Sequence, residues 1–365
     1  MTPRLLTRFR LVIARSQSSK RPTPRVRRSA RAVLAWFVVG VFVFSTGLLL
    51  AGDVVWPELR DPEYGRRANA LRDRVAENTG RPLVLVVGSS RVGAAVSPRE
   101  LTPADPFLFN MGRAGAGPVV QLMMLRRAYA EGFRPAVVLL EYWPPFLTER
   151  NPAKEFRITP DHLFVGDLPI VREYHPLPGS IEDRMLRNRM NPISGLRRTL
   201  MLHIAPTWVP WPGRMEMVWA PLDSWGWLPM ELPPGLTPER EQRIVAWEKT
   251  FRPQLQKFAV APSADRALRE AVALARHHGA EVGFVYLPES SEFRGWYPPV
   301  ADETIAQHLQ ALSAELRVPV INGRLWTPDD HLVDGYHLSR VGAAELTRKL
   351  ARAVTSAFPD AGVKP

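Results

Sequence analysis

Hydrophobic residues recur in this chain as short continuous runs, each followed by a polar or glycine-rich turn and then by a helical pattern. The first run, residues 83–87, holds five consecutive aliphatic residues and ends at Gly88, Ser89 and Ser90. A strand without polar alternation is typical of a parallel sheet, because both faces of such a sheet are covered. Further runs occur at residues 107–112, 136–143, 281–288 and 318–322. The alternation of strands with helices predicts a parallel α/β sheet with right-handed connections.

The helical patterns predict helices over residues 57–80, 118–132, 265–278, 302–317 and 339–357. We expect the first of them to lie in a stalk, residues 53–82, and residues 356–365 to form a C-terminal tail. The alternating rhythm stops between residues 144 and 262, where prolines are frequent and six of the eleven tryptophans lie. We interpret this stretch as an ordered insertion with one clear helix near residues 237–257, since a structureless loop of this length is improbable.

One uncharged stretch precedes the stalk. Residues 33–51 are almost wholly apolar, close to the roughly 20 residues that cross a bilayer as a helix. Residues 1–32 hold ten basic side chains and no acidic one, which predicts a cytoplasmic N-terminal tail by the positive-inside rule. We therefore predict a single-pass signal anchor over residues 33–52 in the cell membrane, with the later residues outside the cytoplasm. The alternative is a cleaved signal peptide, whose apolar region is usually shorter.

Charge and cysteine content narrow the function classes. The formal net charge is +12, but nearly all of the excess lies in the basic tail, so we expect no nucleic-acid partner. The chain has no cysteine, which excludes disulfides, thiolate nucleophiles and thiolate metal sites. We predict no cofactor and no bound metal. Protein partners are not readable from the sequence.

The candidate chemistry lies at two distant segments, Gly88-Ser89-Ser90 and Asp334-Gly335-Tyr336-His337. A serine attacks a carbonyl only when a base removes its proton and a third group orients that base. We interpret Ser90 as the nucleophile, His337 as the base and Asp334 as the orienting acid. Two alternatives stay open: Ser89 and Ser90 are turn or capping residues, or His331, Asp334 and His337 bind a metal.

These segments, with Asn110-Met111-Gly112-Arg113-Ala114-Gly115 between them and Leu338-Ser339 and Gly342 after them, resemble the SGNH/GDSL hydrolase superfamily. Within this superfamily, the sequence resembles membrane-anchored bacterial branches that act in envelope polysaccharide acylation and teichoic-acid D-alanylation. Those branches often have Gly-Ser-Ser in place of Gly-Asp-Ser. The resemblance covers residues 83–145 and 264–355. It implies a three-layer α/β/α domain of flavodoxin-like type over residues 83–355, with the insertion at 144–262. It also implies that Gly115 is an oxyanion donor.

One block departs from that pattern. Where the superfamily has Gly-x-Asn-Asp, this chain has Glu141-Tyr142-Trp143-Pro144, so the usual asparagine donor is missing. We expect Asn110 or a group of the insertion to replace it. The resemblance implies a serine esterase or O-acyltransferase that acts through an acyl-enzyme, with an acylated envelope or exported polysaccharide as substrate. The alternative is a non-catalytic, membrane-tethered binding or assembly protein with the same fold.

Overall fold

The computed structural model describes residues 24–148, 160–214, 217–232 and 234–362. Most of the predicted basic tail, residues 149–159 of the insertion and the last three residues of the chain lie outside this description. Residues 1–47 and 48–365 separate into two units. The first unit contains most of an apolar helix, α1 (Pro24–Leu50). In the described part of the chain, Ser29–Asp53 is the single stretch long and apolar enough to span a bilayer, as a membrane anchor or a signal sequence.

The second unit is built on a five-stranded parallel sheet. Its strands are β1 (Leu83–Gly88), β2 (Phe107–Gly112), β3 (Val137–Glu141), β4 (Glu281–Tyr286) and β5 (Val320–Asn322). They lie in the order β2-β1-β3-β4-β5, and every neighbouring pair is parallel. This is the flavodoxin-like order, in which ligands bind beyond the carboxyl ends of the strands where the order reverses. The prediction of a parallel α/β sheet is confirmed.

Helices cover both faces of the sheet. They are α2 (Pro62–Glu77), α3 (Ser90–Ala95), α4 (Pro118–Ala130), α5 (Leu168–Tyr174), α6 (Pro178–Met190), α7 (Pro192–Ile204), α8 (Pro238–Leu255), α9 (Pro262–His277), α10 (Pro299–Leu316) and α11 (Arg340–Ala357). Successive side chains of a strand point to opposite faces. Leu85 and Val87 of β1 therefore join the core under α4 and α9, while Val84 and Val86 join the core under α3 and α11. The result is a three-layer α/β/α domain.

The segment predicted as a stalk is instead part of the domain. A helix forms there, but Tyr64, Ala68 and Leu71 of α2 are fully buried in the larger core. Apolar residues at helical spacing stabilise α2 by burial, which a solvated stalk does not provide. The predicted C-terminal tail differs in the same way. Helix α11 extends to Ala357, and Phe358 is buried in the smaller core.

The described part of the insertion is mainly helical and covers one edge of the sheet. The Asn110 N–H of the edge strand β2 donates to Trp225 O (3.1 Å), and the Leu228 N–H donates to Gly93 O (2.9 Å). The Trp227 indole N–H donates to Ala94 O (2.8 Å). The first contact satisfies a backbone group that an uncovered edge strand leaves open, and the other two satisfy carbonyl groups of α3.

Candidate active site

The first site residue, Ser90, begins helix α3 directly after the central strand β1. Ser89 is the N-cap of α3, and its hydroxyl accepts the Arg91 N–H (3.1 Å). A Cβ on Gly88 would overlap the side chains of Val92 and Glu141, so only glycine allows this tight passage from strand to helix. The capping role thus belongs to Ser89, and the Ser90 hydroxyl stays available at the partly exposed carboxyl edge of the sheet.

The structure brings Ser90 together with His337 and Asp334, which lie about 250 residues later in the chain. The Ser90 Oγ lies 2.8 Å from His337 Nε2. On the other side of the imidazole, His337 Nδ1 lies 2.8 Å from Asp334 Oδ2. Three groups in this order form a hydrogen-bonded relay from a buried carboxylate to a hydroxyl. The geometry is that of a nucleophile, a general base and the group that orients the base.

The carboxylate of Asp334 is held in the ionised form. Its burial on its own raises the pKa of a carboxyl, but the neighbouring His337 imidazole and hydrogen bonds from this loop outweigh that effect and lower the pKa of Asp334. The backbone N–H groups of Tyr336 and His337 donate to Oδ1 at 3.3 and 2.9 Å. Oδ2 is therefore left to face the imidazole, and it fixes the ring orientation.

Helix α8 of the insertion holds the loop that carries Asp334 and His337. Arg240 Nε donates to Leu332 O (2.7 Å), and Arg243 Nε donates to Val333 O (2.9 Å). Arg240 also forms a two-point contact with Glu292, with N–O distances of 2.8 and 3.2 Å. The resemblance does not extend to this helix, and the spacing of its arginines in the sequence does not reveal their acceptors. These positioning contacts were missed at the level of sequence.

Two backbone N–H groups at the carboxyl ends of the paired strands β1 and β2 are candidate oxyanion donors. The Ser90 N–H belongs to the first turn of α3, where no helical acceptor exists. Gly115 follows β2, the strand paired with β1, and its φ of +73° with the Ala116 N–H donating to Arg113 O (3.1 Å) indicates a type II turn. Within the described residues neither N–H has an acceptor. Both are thus available to stabilise an oxyanion.

Helix α2 holds the turn that contains Gly115, which we name the oxyanion loop (residues 112–116). Glu63 Oε1 accepts the Ala114 N–H at 3.0 Å and also contacts Arg67 Nη1 at 3.0 Å. Asp61 Oδ2 accepts Arg113 Nη1 at 2.6 Å, and this buried carboxylate has its pKa strongly lowered, since its two arginine partners, Arg113 and Arg127, outweigh its burial. Two carboxylates from one helix end therefore set the position of the loop.

Asn110, expected as a replacement oxyanion donor, is engaged elsewhere. Its Nδ2 lies 2.8, 3.1 and 2.6 Å from the carbonyl oxygens of Val92, Gly93 and Val96. Its Oδ1 accepts the Gly112 N–H at 2.8 Å. The side chain is completely buried, and its amide hydrogens are satisfied by the backbone of the nucleophile helix and the residue after it. These contacts make Asn110 a brace between β2 and α3 and do not favour the expected role.

Glu141 occupies the block where the asparagine donor was expected. Its Oε2 accepts the Ser89 N–H at 2.6 Å, and its Oε1 lies 3.5 Å from Arg91 Nη1. Burial raises the pKa of the Glu141 carboxyl despite the nearby guanidinium and the Ser89 N–H. Glu141 thus holds the backbone of the turn between β1 and α3 through the Ser89 N–H. The sequence carried one signal of this role. Glu141 is a single acidic residue at the end of an apolar strand, and a buried charge needs polar partners.

An aromatic cluster lies behind the catalytic loop. Tyr336 stacks on Trp143 with ring centroids 5.3 Å apart and contacts the His337 ring at 4.2 Å. Phe251 of α8 packs against both Trp143 and Tyr336. The Trp143 indole N–H donates to the buried Glu289 at 3.2 Å. Packing of this kind limits the movement of the imidazole. General base catalysis requires such a fixed position of the base.

The alternative of a metal site is not favoured by the positions of the three candidates. His337 is bound between Asp334 and Ser90, and His331 Nδ1 faces Glu345 at 3.4 Å. Among the residues that the structure describes, no group of three or more potential ligands is arranged to hold a metal ion.

No family model and no curated protein matches the chain. Among solved structures, TesA is similar at 12% identity and a TM-score of 0.33, over 75% of this chain and 99% of that chain. A lipase/acylhydrolase from Enterococcus faecalis is similar at 13% identity and 0.32, over 75% and 96%. Est24, a carbohydrate acetylesterase from Sinorhizobium meliloti, is similar at 12% and 0.30, over 76% and 100%. At values this low, the activity has to be inferred from the site itself.

Proposed function

We propose that this chain is a serine ester hydrolase that acts through an acyl-enzyme. One observation carries the proposal: the Asp334 carboxylate, the His337 imidazole and the Ser90 hydroxyl form a continuous relay with two distances of 2.8 Å. The relay lies at the carboxyl edge of the sheet, where the strand order reverses. A capping serine and a structural histidine do not require a buried carboxylate in this third position.

In the proposed reaction, His337 Nε2 takes the proton of Ser90 as Oγ attacks the ester carbonyl carbon. Asp334 stabilises the imidazolium that forms. The N–H groups of Ser90 and Gly115 stabilise the oxyanion of the tetrahedral intermediate. When the intermediate collapses, the C–O bond to the alcohol breaks and the alcohol leaves with the proton from His337. Water then attacks the acyl-enzyme by the same steps and releases the acid and free Ser90.

We further propose that the chain is anchored in the cell membrane by Ser29–Asp53, with the N-terminus in the cytoplasm and the catalytic domain outside it. The length and apolar character of that stretch and the basic residues before it support this arrangement. With the resemblance described above, they favour an O-acylated envelope or exported polysaccharide as substrate. If a sugar hydroxyl replaces water in the second half-reaction, the same site acts as an O-acyltransferase.

The test is labelling of the full chain in detergent with a fluorophosphonate, which reacts with activated serines. We expect labelling of the wild type and none in Ser90→Ala or His337→Ala. Ser356→Ala, at an exposed serine, and His331→Ala, in the same loop as His337, are matched controls that keep the label. Product analysis with an aryl acetate and a soluble oligosaccharide then separates hydrolysis from transfer to sugar.

A second candidate function is binding or assembly without catalysis. The specific observation in its favour is that the Asn110 amide is satisfied by backbone carbonyls, so the oxyanion loop lacks an asparagine donor from this position. A wild-type chain that is folded by circular dichroism and still resists the fluorophosphonate would favour this candidate over the esterase.

A further inference from the structure

A face of the insertion carries large apolar side chains in contact with solvent. Helix α7 buries Leu196, Thr199 and Leu202 against the domain. Two of its other apolar residues, Ile193 and Ile204, are 47% and 77% exposed. Residues 11 positions apart lie almost one above the other on a helix of 3.6 residues per turn. Within the described residues, the side of the helix that carries Leu196 is covered and the side that carries Ile193 and Ile204 is exposed.

The elements before and after α7 in the chain also expose large apolar side chains. Helix α6, which packs on α7, exposes Leu186 and Met190 at 57% and 69%. The segment after α7 exposes Trp208 and Trp211 at 78% and 67%. We name this set the apolar insertion face; its residues are Leu186, Met190, Ile193, Ile204, Trp208 and Trp211. Six large, exposed apolar side chains within 26 consecutive residues of the chain are consistent with an interaction site.

The charge around this face is strongly positive. Residues 178–214 contain six arginines and only two acidic residues, Glu182 and Asp183. Arg184, Arg187 and Arg197 are exposed on α6 and α7. Apolar and tryptophan side chains combined with arginines are typical of helices that lie in the headgroup region of a bilayer, where lipid phosphates face the cations.

The two helices that carry this face, α6 and α7, contact the end of the apolar stretch Ser29–Asp53 through other residues. The Cβ that Gly52 lacks would lie 3.4 Å from Leu196 Cδ1 of α7. Arg189 of α6 lies 3.4 Å from Asp53, and the Trp56 ring contacts His203 of α7 with centroids 5.6 Å apart. Helices α6 and α7 thus contact the last two residues of the proposed membrane span and Trp56, which follows it.

We propose that the apolar insertion face lies in the headgroup region of the membrane that α1 enters and that it binds anionic phospholipid. The proposal rests on α1 being the anchor proposed above. The short connection from Asp53 to Trp56 keeps α7 near the bilayer surface, and burial of the face in the interface removes its apolar area from water. The domain then has a second attachment to the membrane, in addition to its covalent link to the anchor.

The test uses the absence of cysteine in the full chain, because single cysteines can be introduced without a background. Ile204→Cys and Trp208→Cys report on the face. Val300→Cys is the matched aqueous control, since Val300 is 75% exposed on α10, and Val41→Cys reports on insertion of α1. Each variant carries an environment-sensitive fluorophore and is reconstituted into nanodiscs of phosphatidylethanolamine and phosphatidylglycerol, with and without lipid-borne quencher.

At positions 204 and 208 we expect the emission to shift to the blue and the lipid-borne quencher to reduce the fluorescence. Both effects should be larger than at position 300 and smaller than at position 41. Replacement of phosphatidylglycerol by neutral lipid reduces the effect at 204 and 208 and leaves that at 41 unchanged. Labels at 204 and 208 as aqueous as that at 300, with 41 in lipid, would overturn the proposed face and retain the anchor. Aqueous labels at all four positions would overturn both. Fluorophosphonate labelling reports on catalysis independently of each outcome.

Discussion

The carboxylate of Glu63 lies 3.0 Å from the amide nitrogen of Ala114 and connects the first helix of the folded domain to the oxyanion loop. The loop has a type II turn geometry, in which the orientation of the peptide between Ala114 and Gly115 decides where the Gly115 N–H points. Glu63 holds the Ala114 N–H, which comes directly before the peptide between Ala114 and Gly115, and it thereby favours one orientation of that peptide. Glu63 is thus a positioning residue for the proposed reaction.

Replacement of Glu63 by alanine is expected to lower kcat about tenfold, because loss of a charge-assisted hydrogen bond of roughly 1.4 kcal/mol lets the turn change its geometry. The KM for an aryl acetate should change little, because Glu63 contacts the loop and not the substrate. Glu63→Gln retains an oxygen acceptor for the Ala114 N–H and should recover most of kcat. Equal losses in both variants, matched by equal falls in Tm, would show that Glu63 contributes only to stability.

Asn110→Ala separates a structural role from an oxyanion role. The substitution leaves carbonyl oxygens of Val92, Gly93 and Val96 without their donor, and we expect the free energy of unfolding to fall by about 2–3 kcal/mol. Loss of a true oxyanion donor lowers kcat by about 100- to 1000-fold. We expect a fall in kcat of less than about tenfold for the folded fraction, measured below the melting transition. A fall in the larger range with little change in stability would restore Asn110 to the oxyanion hole.

The raised pKa of Glu141 predicts a pH dependence of stability. A carboxyl whose pKa is higher in the folded state binds its proton more tightly there, so its contribution to stability is present below its unfolded pKa of about 4.3 and declines as the pH rises toward the folded pKa. Glu141→Gln cannot ionise but keeps an oxygen for the Ser89 N–H. We expect the difference in Tm between Glu141→Gln and wild type to move in favour of the variant between pH 4 and pH 7. A difference that stays constant across this range would contradict the assignment.

The ion pair between Arg240 and Glu292 has the opposite pH dependence. Hydrogen bonds from Arg240 lower the pKa of Glu292 to about 2, so the pair stabilises the fold above the unfolded pKa of about 4.3 and is lost as the pH falls toward 2. The Glu292 side chain is 39% exposed, which limits its contribution to less than about 1 kcal/mol. We expect Glu292→Gln to lower Tm at pH 7 and to match the wild type near pH 2. Glu241→Gln, on the same helix as Arg240, is the control. We expect it to leave Tm at pH 7 and Tm near pH 2 unchanged.

Much of the fold was predictable from local sequence. Short, mainly apolar runs identified the five strands to within a few residues, since both faces of a parallel sheet require apolar cover. The glycine and serines after β1 and the Asp-x-x-His segment marked the site, because a nucleophile and its base are recognisable by residue type. A helix was also predicted over residues 57–80, where α2 spans Pro62–Glu77, but its burial was not predicted. Amphipathic spacing shows that a helix has an apolar face and does not show what covers it.

The sequence by itself determined the strands, the long helices outside the insertion, the insertion helix near residues 237–257, the apolar stretch near the N-terminus and the residue types available for acyl transfer; it did not reveal α3, α5, α6 or α7. Only the tertiary structure decided which of them meet. It brought His337 to Ser90, engaged the Asn110 amide with three carbonyls, and placed Glu63, Glu141 and Arg240 under the loops of the site. The physical reason is that strand and helix propensities act over a few residues, whereas hydrogen bonds and ion pairs between distant segments depend on how the packed layers align.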